Sequence, residues 1–328
     1  MERRALLAGI GLAATGAAAA AGSARAAGGK KHTVALVPGL TTDAFYITMR
    51  RGAAAAAAAL GVELLFQGAP AFNPVSQVPV LDAVVARRPD ALLVAPTDKT
   101  QLIQPLKNAA DAGIPVITLD TFIGTGAYQT GSGDADFPLS YIASNNTTGG
   151  EIAARALAKA IGDKGTVYVA NIEAGVSTTD QREQGFKEEM KRHPGITVLP
   201  TEFNDDDANK AASQAQSVLS RHPDLAGIFG TNLFAALGAG NGVQQSGKAG
   251  VVKVIAFDAP QSIVADLKSG LVTAAIAQHP AEIGWFGVAA AVAHLTGQSI
   301  PPLIATGFTI IDKTNVDAAA TKPFLYAA

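Results

Sequence analysis

Two aspartates end similar β-rich segments in this sequence: AGIPVITLD ends at Asp120 and AGVVKVIAFD ends at Asp258. Carboxylates, amides and guanidinium groups together suit a polyhydroxylated ligand, because each hydroxyl both donates and accepts a hydrogen bond. Aromatic rings pack against the apolar C–H faces of such a ligand. These residue types recur just after the predicted strands and predict a ligand-binding site. The candidate ligand-binding residues are Asp43, Phe45, Tyr46, Asp120, Thr121, Arg182, Asn232, Phe257, Asp258 and Gln278.

Each of these residues also has an ordinary structural explanation that the sequence leaves open. Asp120 and Asp258 could cap the turns that follow their strands. Arg182 could be a solvated charge on a helix. Phe45 and Tyr46 could belong to the core or to a hydrophobic staple, and isolated amides such as Asn232 and Gln278 are weak signals.

The elements that would position these residues alternate between short Val/Ile/Leu-rich strands and helical segments. This alternation predicts parallel sheets covered by helices on both faces. The pattern runs through two similar units, so we expect two doubly wound α/β lobes. The strands are predicted at 32–38, 62–68, 91–96, 115–120, 165–171, 196–203, 225–232 and 251–258, and the helices at 45–61, within 75–88, and at 101–113, within 180–195, and at 208–223 and 233–247.

The second unit is followed by a helix at 262–270, a strand at 272–278, a helix at 281–297 and a strand at 305–312. They fit if the chain returns to the first lobe and then crosses back, which gives a hinge of three crossings. The crossings are predicted near Ala143–Asn145, Gln278–His279 and Phe308–Thr309. The N-terminal lobe then comprises residues 31–143 and 279–308, and the C-terminal lobe residues 144–278 and 309–328. Ligands of open parallel sheets bind beyond the carboxyl ends of the strands, so the two lobes would enclose one cleft.

Composition excludes several functional classes. The 328 residues carry a formal net charge of −2, which offers no basic surface for nucleic acid, and the absence of cysteine excludes disulfides and thiolate chemistry. The Gly-rich segment 124–133 lacks the Lys-Ser/Thr of a phosphate loop, and 205–207 lacks the remainder of an EF-hand. No metal or cofactor is predicted. A glycosidase would use two carboxylates, but Arg182 beside them would keep both ionised, so we predict no enzymatic activity.

The N-terminus has the features of an export signal. Arg3 and Arg4 precede an uncharged stretch from Ala5 to Ser23, and small residues follow at Ala24 and Ala26. This order is typical of a secretory signal peptide, predicted at residues 1–26. The paired arginines are compatible with twin-arginine export as well as with general secretion. The mature chain is therefore expected to be soluble and to lie outside the cytoplasm.

Six segments carry a resemblance to a known family, in the family's order: 33–49, 95–120, 141–154, 182–190, 254–262 and 274–284. They resemble the periplasmic sugar-binding proteins of ABC importers, and the ribose-binding proteins among them in particular. The resemblance covers roughly residues 32–312 and implies a type I periplasmic binding protein fold and a periplasmic location. It implies that Asp43, Phe45 and Tyr46 form the first binding loop, with the two aromatic rings sandwiching the sugar. It also implies ligand contacts at Asp120, Arg182, Asn232, Phe257, Asp258 and Gln278.

The function that follows is capture of a small sugar or polyol in an interlobe cleft and its delivery to an ABC importer permease with its ATPase. The alternative is a sugar-derived signal molecule presented to a membrane sensor, so a chemoreceptor or sensor kinase is a further candidate partner. We expect a monomer without a nucleic-acid partner. This chain differs from ribose-binding proteins at Thr121, where they have arginine, and at Asp43, where they have asparagine. Ribose itself is therefore not the expected ligand, and the long segment 121–140 could reshape the rim of the cleft.

Overall fold

The structure is a computed structural model that describes residues 31–326. Strands and helices alternate along this range, as the sequence predicts. The strands are β1 (Thr33–Val37), β2 (Glu63–Phe66), β3 (Ala91–Val94), β4 (Val116–Leu119), β5 (Ser140–Ser144), β6 (Gly165–Asn171), β7 (Ile196–Val198), β8 (Glu202–Phe203), β9 (Leu225–Gly230), β10 (Lys253–Phe257), β11 (Ala274–Gln278), β12 (Leu303–Thr306) and β13 (Phe308–Asp312). The helices are α1 (Ala44–Leu60), α2 (Pro74–Ala86), α3 (Ile103–Asp111), α4 (Asn146–Ile161), α5 (Ser177–Met190), α6 (Ala208–Arg221), α7 (Leu233–Gln245), α8 (Gln261–Ser269) and α9 (Pro280–Leu295), and a 3₁₀ turn spans Lys322–Phe324.

The strands form two sheets, each covered by helices. The first sheet has the order β12-β5-β4-β3-β1-β2, and the second has the order β13-β11-β10-β9-β6-β7 with β8 also pairing to β6. All pairs are parallel except the edge pair of β11 with β13. The predicted class of two doubly wound α/β lobes is confirmed.

The chain passes between the two sheets three times. It leaves the first sheet after β5, returns to it after β11 and leaves it again after β12. The third crossing lies at Gly307, slightly before the predicted position at Phe308–Thr309. The reason is strand pairing: Thr306 ends the parallel register with Ser144, whereas Phe308 already lies opposite Gln278 in the antiparallel register of β13 with β11.

Three further parts of the chain differ from the prediction. The segment 196–203 forms two short strands, β7 and β8, rather than one, because Pro200 between them has no N–H group for the ladder. Strand β5 and helix α4 were not predicted as elements. The small residues Thr147, Thr148, Gly149 and Gly150 open α4 and weaken its helical pattern.

Glycines allow two pairs of helices to pack at very short range. A Cβ atom on Gly150 of α4 would lie 1.9 Å from the carbonyl oxygen of Arg182, and one on Gly185 of α5 would lie 2.0 Å from that of Thr147. The helices α1 and α9 pack in the same way. A Cβ atom on Gly52 or on Gly284 would collide with a main-chain oxygen of the other helix. Close contact of α4 with α5 thus fixes the helix that carries Arg182.

The segment 121–140 is a folded loop. The Tyr128 side chain is buried beneath it, and its hydroxyl accepts a hydrogen bond from the Ile123 N–H at 3.0 Å. The Asp136 carboxylate accepts bonds from the N–H groups of Thr130 and Gly131, which lowers its pKa. Near the start of the loop, the Phe122 N–H donates to Oγ of Ser177 on α5 at 3.1 Å, which joins the loop to the second lobe.

Between residues 31 and 326 no helix combines the length and the apolar character needed to cross a bilayer. The predicted signal peptide, residues 1–26, lies outside the described residues.

Candidate functional site

A cavity lies between the carboxyl ends of the two sheets. Eight of the ten candidate residues line it; Thr121 and Phe257 do not. The candidates that share the cavity are Asp43, Phe45, Tyr46, Asp120, Arg182, Asn232, Asp258 and Gln278. Residues predicted from positions after separate strands therefore converge on one space.

Asp120 and Asp258 occupy equivalent positions in the two sheets. Each follows the last residue of its strand in a left-handed conformation, with φ of 62° and 74°. Each backbone N–H donates to the neighbouring strand, to the Ile142 oxygen at 2.9 Å and to the Ile276 oxygen at 3.0 Å. Aspartate is among the few residues that tolerate this backbone conformation. The turn directs both carboxylates into the cavity, which agrees with the repeat seen in the sequence.

The two carboxylates are held by hydrogen bonds from neighbouring side chains. The Tyr46 hydroxyl donates to Oδ2 of Asp120 at 2.8 Å. Nε2 of Gln278 donates to Oδ1 of Asp258 at 2.9 Å, and the Tyr326 hydroxyl donates to the same oxygen at 2.8 Å. Within the described part of the chain, Oε1 of Gln278 is buried without a hydrogen-bond partner. This oxygen is an acceptor that a ligand hydroxyl would satisfy.

Arg182 is the cationic side chain among the described residues that line the cavity. Its Nε donates to Oδ1 of Asn146 at 2.8 Å, and its Nη1 donates to the carbonyl oxygen of Thr231 at 2.9 Å. Its guanidinium carbon lies 3.9 Å from the ring centre of Phe257. Two bonds and a cation–π contact fix the guanidinium plane, and the Nη2 group makes no hydrogen bond to residues 31–326. The remaining N–H groups can therefore serve a ligand in the cavity.

Asn232 holds both a helix and an acidic side chain. Its Oδ1 accepts from the Ala235 N–H at 3.0 Å and caps α7, while its Nδ2 donates to Oδ1 of Asp206 at 2.6 Å. Asp206 lines the cavity and follows Asp205 in a loop where both residues have positive φ. The amide of Asn232 therefore positions Asp206 as well as lining the cavity itself.

The predicted first binding loop lines the cavity, but its two aromatic rings do not enclose a space as the predicted sandwich requires. Phe45 and Tyr46 contact each other edge to face, with ring centroids 5.2 Å apart and planes at 86°. A sugar ring cannot lie between two rings in direct contact, so these residues form part of one wall of the cavity. Asp43 caps α1 by accepting from the Phe45 N–H at 2.8 Å.

Thr121 and Phe257 lie behind the cavity wall. Thr121 is 1% exposed, and its Oγ1 has no hydrogen-bond partner in the described residues. Phe257 is fully buried beneath the Arg182 guanidinium and contacts Phe308 edge to face at 5.6 Å. The position of Phe257 indicates support of Arg182 rather than direct contact with a ligand.

Six cavity residues were not among the predicted candidates. Five of them lie in loops or helix starts after the strands of the second sheet, so the rule that ligands bind beyond strand ends already indicated their regions. Phe72 follows β2 in the first sheet and could have been found by the same rule. The six residues are Phe72, Ile172, Val176, Thr178, Thr179 and Asp206.

The cavity is rich in carboxylates whose proton affinity is increased. Burial, followed by the negative charge of Asp258, raises the pKa of Asp43 to about 8. Burial raises the pKa of Asp206 to about 7. Burial also raises the pKa of Asp120 to about 6, against the opposing effects of the Arg182 charge and the Tyr46 hydrogen bond. A cavity with these groups suits a neutral ligand rich in hydroxyls, since an anion would add to the like charge.

Comparison with known proteins identifies the family. A profile of the family described as periplasmic binding protein domain matches residues 34–299. The chain belongs to this family. The ribose import binding protein of Salmonella typhimurium is 34% identical over 270 residues, which cover 82% of this chain and 87% of the relative. The predicted resemblance to periplasmic sugar-binding proteins is confirmed.

Solved structures support the same family. An ABC transporter solute-binding protein of Agrobacterium vitis, bound to alpha-D-tagatopyranose, is 71% identical with a TM-score of 0.90, covering 91% of this chain and 100% of that one. A second solute-binding protein of that organism, bound to D-fucose, is 29% identical with a TM-score of 0.83, covering 90% and 100%. Together these relatives confirm the predicted role in sugar capture for ABC import, and the prediction that this is not an enzyme.

Proposed function

We propose that this periplasmic binding protein captures a monosaccharide in its pyranose form, with the ketohexose D-tagatose as the first candidate. The main support is the 71% identity to the Agrobacterium vitis protein that binds alpha-D-tagatopyranose. The cavity between the sheets supplies acceptors and donors for a ring with several hydroxyl groups. A site that pairs each hydroxyl discriminates against sugars that lack one, because its buried groups would remain unsatisfied.

The candidate residues would act in three ways. Asp120 and Asp258 would accept hydrogen bonds from sugar hydroxyls, and Gln278 would accept through Oε1. Asp43, which keeps its proton below about pH 8, would donate one. Arg182 would donate through the N–H groups that the protein leaves unused. Phe45 and Tyr46 would contact the sugar from one side, Asn232 would act largely through Asp206, and Thr121 and Phe257 would support the wall from behind.

The proposed cycle depends on movement of two lobes about the three crossings. We assign residues 31–144 and 279–306 to the first lobe and 145–278 and 308–326 to the second, with Gly307 as the last boundary. An open form would expose the polar strand ends of both sheets. Sugar that bridges them would favour closure, and the importer would recognise the closed form by its differential affinity for the two states.

This cycle would take place in the periplasm after export directed by residues 1–26. The permease and ATPase of the importer are the proposed partners, and we expect a monomer. Transport is favoured over presentation of a signal molecule, since the relatives described above are import or transporter proteins. A chemoreceptor or sensor kinase remains a predicted second partner that binding assays with the purified sensor domain would test.

A sugar panel tests the proposed ligand. Titration calorimetry should show saturable binding of D-tagatose, with the sugar recovered unchanged. D-fructose, the C4 epimer, and D-ribose should bind more weakly because each leaves a cavity group unpaired. Tighter binding of D-ribose than of D-tagatose would contradict the assignment.

Replacement of Arg182 by lysine tests the proposed site. An ammonium group cannot bond Asn146 and Thr231 while also facing the sugar, so Arg182→Lys should raise Kd at least about tenfold, as expected for a lost charged hydrogen bond of about 1.5–3 kcal/mol. Arg155→Lys is the matched control, because Arg155 is 47% exposed on α4 and pairs with Glu189. Equal Kd values for the two variants would show that Arg182 does not hold the ligand.

A further inference from the structure

A tyrosine near the C-terminus lies buried behind the binding cavity. Tyr326 is 1% exposed, and its N–H donates to the carbonyl oxygen of Ala259 at 2.9 Å. The preceding 3₁₀ turn is held at the crossing after β11, where Phe324 stacks on His279 with ring centroids 4.0 Å apart. The end of the described chain is thus fixed next to the sugar-binding residues.

The Tyr326 hydroxyl connects two of those residues. It accepts a hydrogen bond from the Gln278 N–H at 3.0 Å and donates to Oδ1 of Asp258 at 2.8 Å. Oδ1 also receives the Gln278 Nε2 donor at 2.9 Å. Oδ2 of Asp258 has no donor within residues 31–326. Two donors therefore hold one carboxylate oxygen, and the other remains available to the cavity.

The contact mirrors the one made by Tyr46 in the first lobe. Tyr46 donates to Oδ2 of Asp120 at 2.8 Å, so each of the two equivalent aspartates is bonded by one tyrosine. Tyr46 comes from α1, whereas Tyr326 comes from the C-terminal segment. The Tyr326 ring also packs with the core of the first sheet, 5.9 Å from the Phe45 ring, while its hydroxyl bonds an aspartate of the second.

We propose that Tyr326 is a positioning residue for sugar binding, which orients the Asp258 carboxylate so that Oδ2 faces the ligand. The inference rests on the proposed function, because it requires a hydroxyl-bearing ligand at Asp258. It assigns the C-terminal segment a role in affinity although Tyr326 does not line the cavity.

The variant Tyr326→Phe tests this role, since it removes the hydroxyl and keeps the ring in the core. Loss of a hydrogen bond to a carboxylate should raise the Kd for D-tagatose about tenfold or more, measured by titration calorimetry. Tyr168→Phe is the matched control: Tyr168 is fully buried, and its hydroxyl has no partner in the described structure. That variant should bind D-tagatose like the wild type.

A double-mutant cycle separates positioning from general packing. In an Asp258→Asn background, Tyr326→Phe should weaken binding less than it does alone, since its target carboxylate is already altered. An unchanged Kd for Tyr326→Phe, or an undiminished loss in the Asp258→Asn background, would overturn the inference. If the wild type binds another monosaccharide but not D-tagatose, the ligand assignment fails, and the same variants tested with that sugar decide the role of Tyr326.

Discussion

At positions 120 and 258, aspartate satisfies two requirements at once. It tolerates the left-handed backbone conformation, and it places a hydrogen-bond acceptor in the cavity. The positive φ values of 62° and 74° disfavour most residues, while the cavity needs a hydrogen-bond acceptor at each position. An alanine there would lose the acceptor and also face a backbone cost of about 1–2 kcal/mol. Asparagine keeps the shape and tolerates the conformation, so Asn variants report the carboxylate chemistry more directly than Ala variants do.

The raised pKa of Asp43 makes stability depend on pH. Between its ordinary value of 3.8 and about 8, the folded protein retains a proton on Asp43 that the unfolded chain has released. Rising pH therefore favours the unfolded state, and the loss of stability is complete above about pH 8. Asp43→Asn removes this titration and keeps a side-chain oxygen for the cap of α1.

In the closed form that this structure shows, we therefore expect Asp43→Asn to exceed the wild type in Tm by an amount that grows from pH 5 to pH 8 and then levels off. Because the carboxylate is partly accessible, we expect a difference of about 2 °C or more at pH 8, as produced by ~1 kcal/mol in a large domain. Thermal unfolding followed by circular dichroism would measure it. The control is Asp111→Asn on the exposed face of α3; a constant offset across this pH range would rule out the linkage.

Part of the site can be predicted from where its residues lie relative to the predicted strands. Asp120, Asp258 and Gln278 were found because each ends or follows a strand, and parallel strands bring such residues to one edge. Tyr326 could not be found in this way, since it lies beyond the last strand and reaches the site only through the path of the C-terminal segment. The bond from Nδ2 of Asn232 to Asp206 likewise depends on a tertiary contact between loops, whereas the cap that Asn232 makes on α7 is local.

At the scale of elements, the contact between α4 and α5 determines where Arg182 lies. Gly150 faces the Arg182 carbonyl so closely that a Cβ atom would approach it to 1.9 Å. A side-chain rotation could not relieve this contact, because the obstructing atom is a main-chain oxygen. The backbone of α4 or of α5 would have to move. The sequence predicted α5 from its periodicity but not α4, whose first turns are rich in glycine and threonine.

The variant Gly150→Ala should displace α5 and with it Arg182. We expect a loss of stability of about 1–3 kcal/mol, typical of overpacking, and a weaker affinity for D-tagatose. Both effects are measurable by thermal unfolding and titration calorimetry on the same samples. The affinity loss is expected because Nε and Nη1 of Arg182 would move away from Asn146 and Thr231.

Gly240→Ala provides the comparison within another buried helix. A Cβ atom there would lie 3.5 Å from Leu271, an ordinary contact, so this variant should keep its affinity and gain some helix stability. If Gly150→Ala behaved like Gly240→Ala, close packing of α4 with α5 would not control the position of Arg182.

At the scale of the molecule, direct contacts join the two lobes beside the cavity. Lys99, after β3 of the first sheet, pairs with Asp180 of α5 at 2.9 Å. The Phe122 N–H, after β4, donates to Oγ of Ser177 at 3.1 Å. These contacts lie outside the cavity lining. In the proposed cycle they would form only while the lobes are together, and they would then stabilise the closed form independently of the sugar.

Lys99→Met should therefore accelerate sugar release without changing which sugar is bound. The pair is partly exposed, with side-chain accessibilities of 38% and 31%, so we expect an effect of at most about 1 kcal/mol, or a few-fold in Kd. Stopped-flow measurements should show the faster dissociation of D-tagatose at low ionic strength, and the difference from the wild type should fade in 1 M salt, where the Debye length is about 3 Å.

Lys107→Met is the matched control, because Lys107 pairs with Asp111 within α3 and spans no cleft. If the release rates of Lys99→Met and Lys107→Met were equal at low salt, the pair of Lys99 with Asp180 would not contribute to closure, and the sugar would hold the lobes together without it.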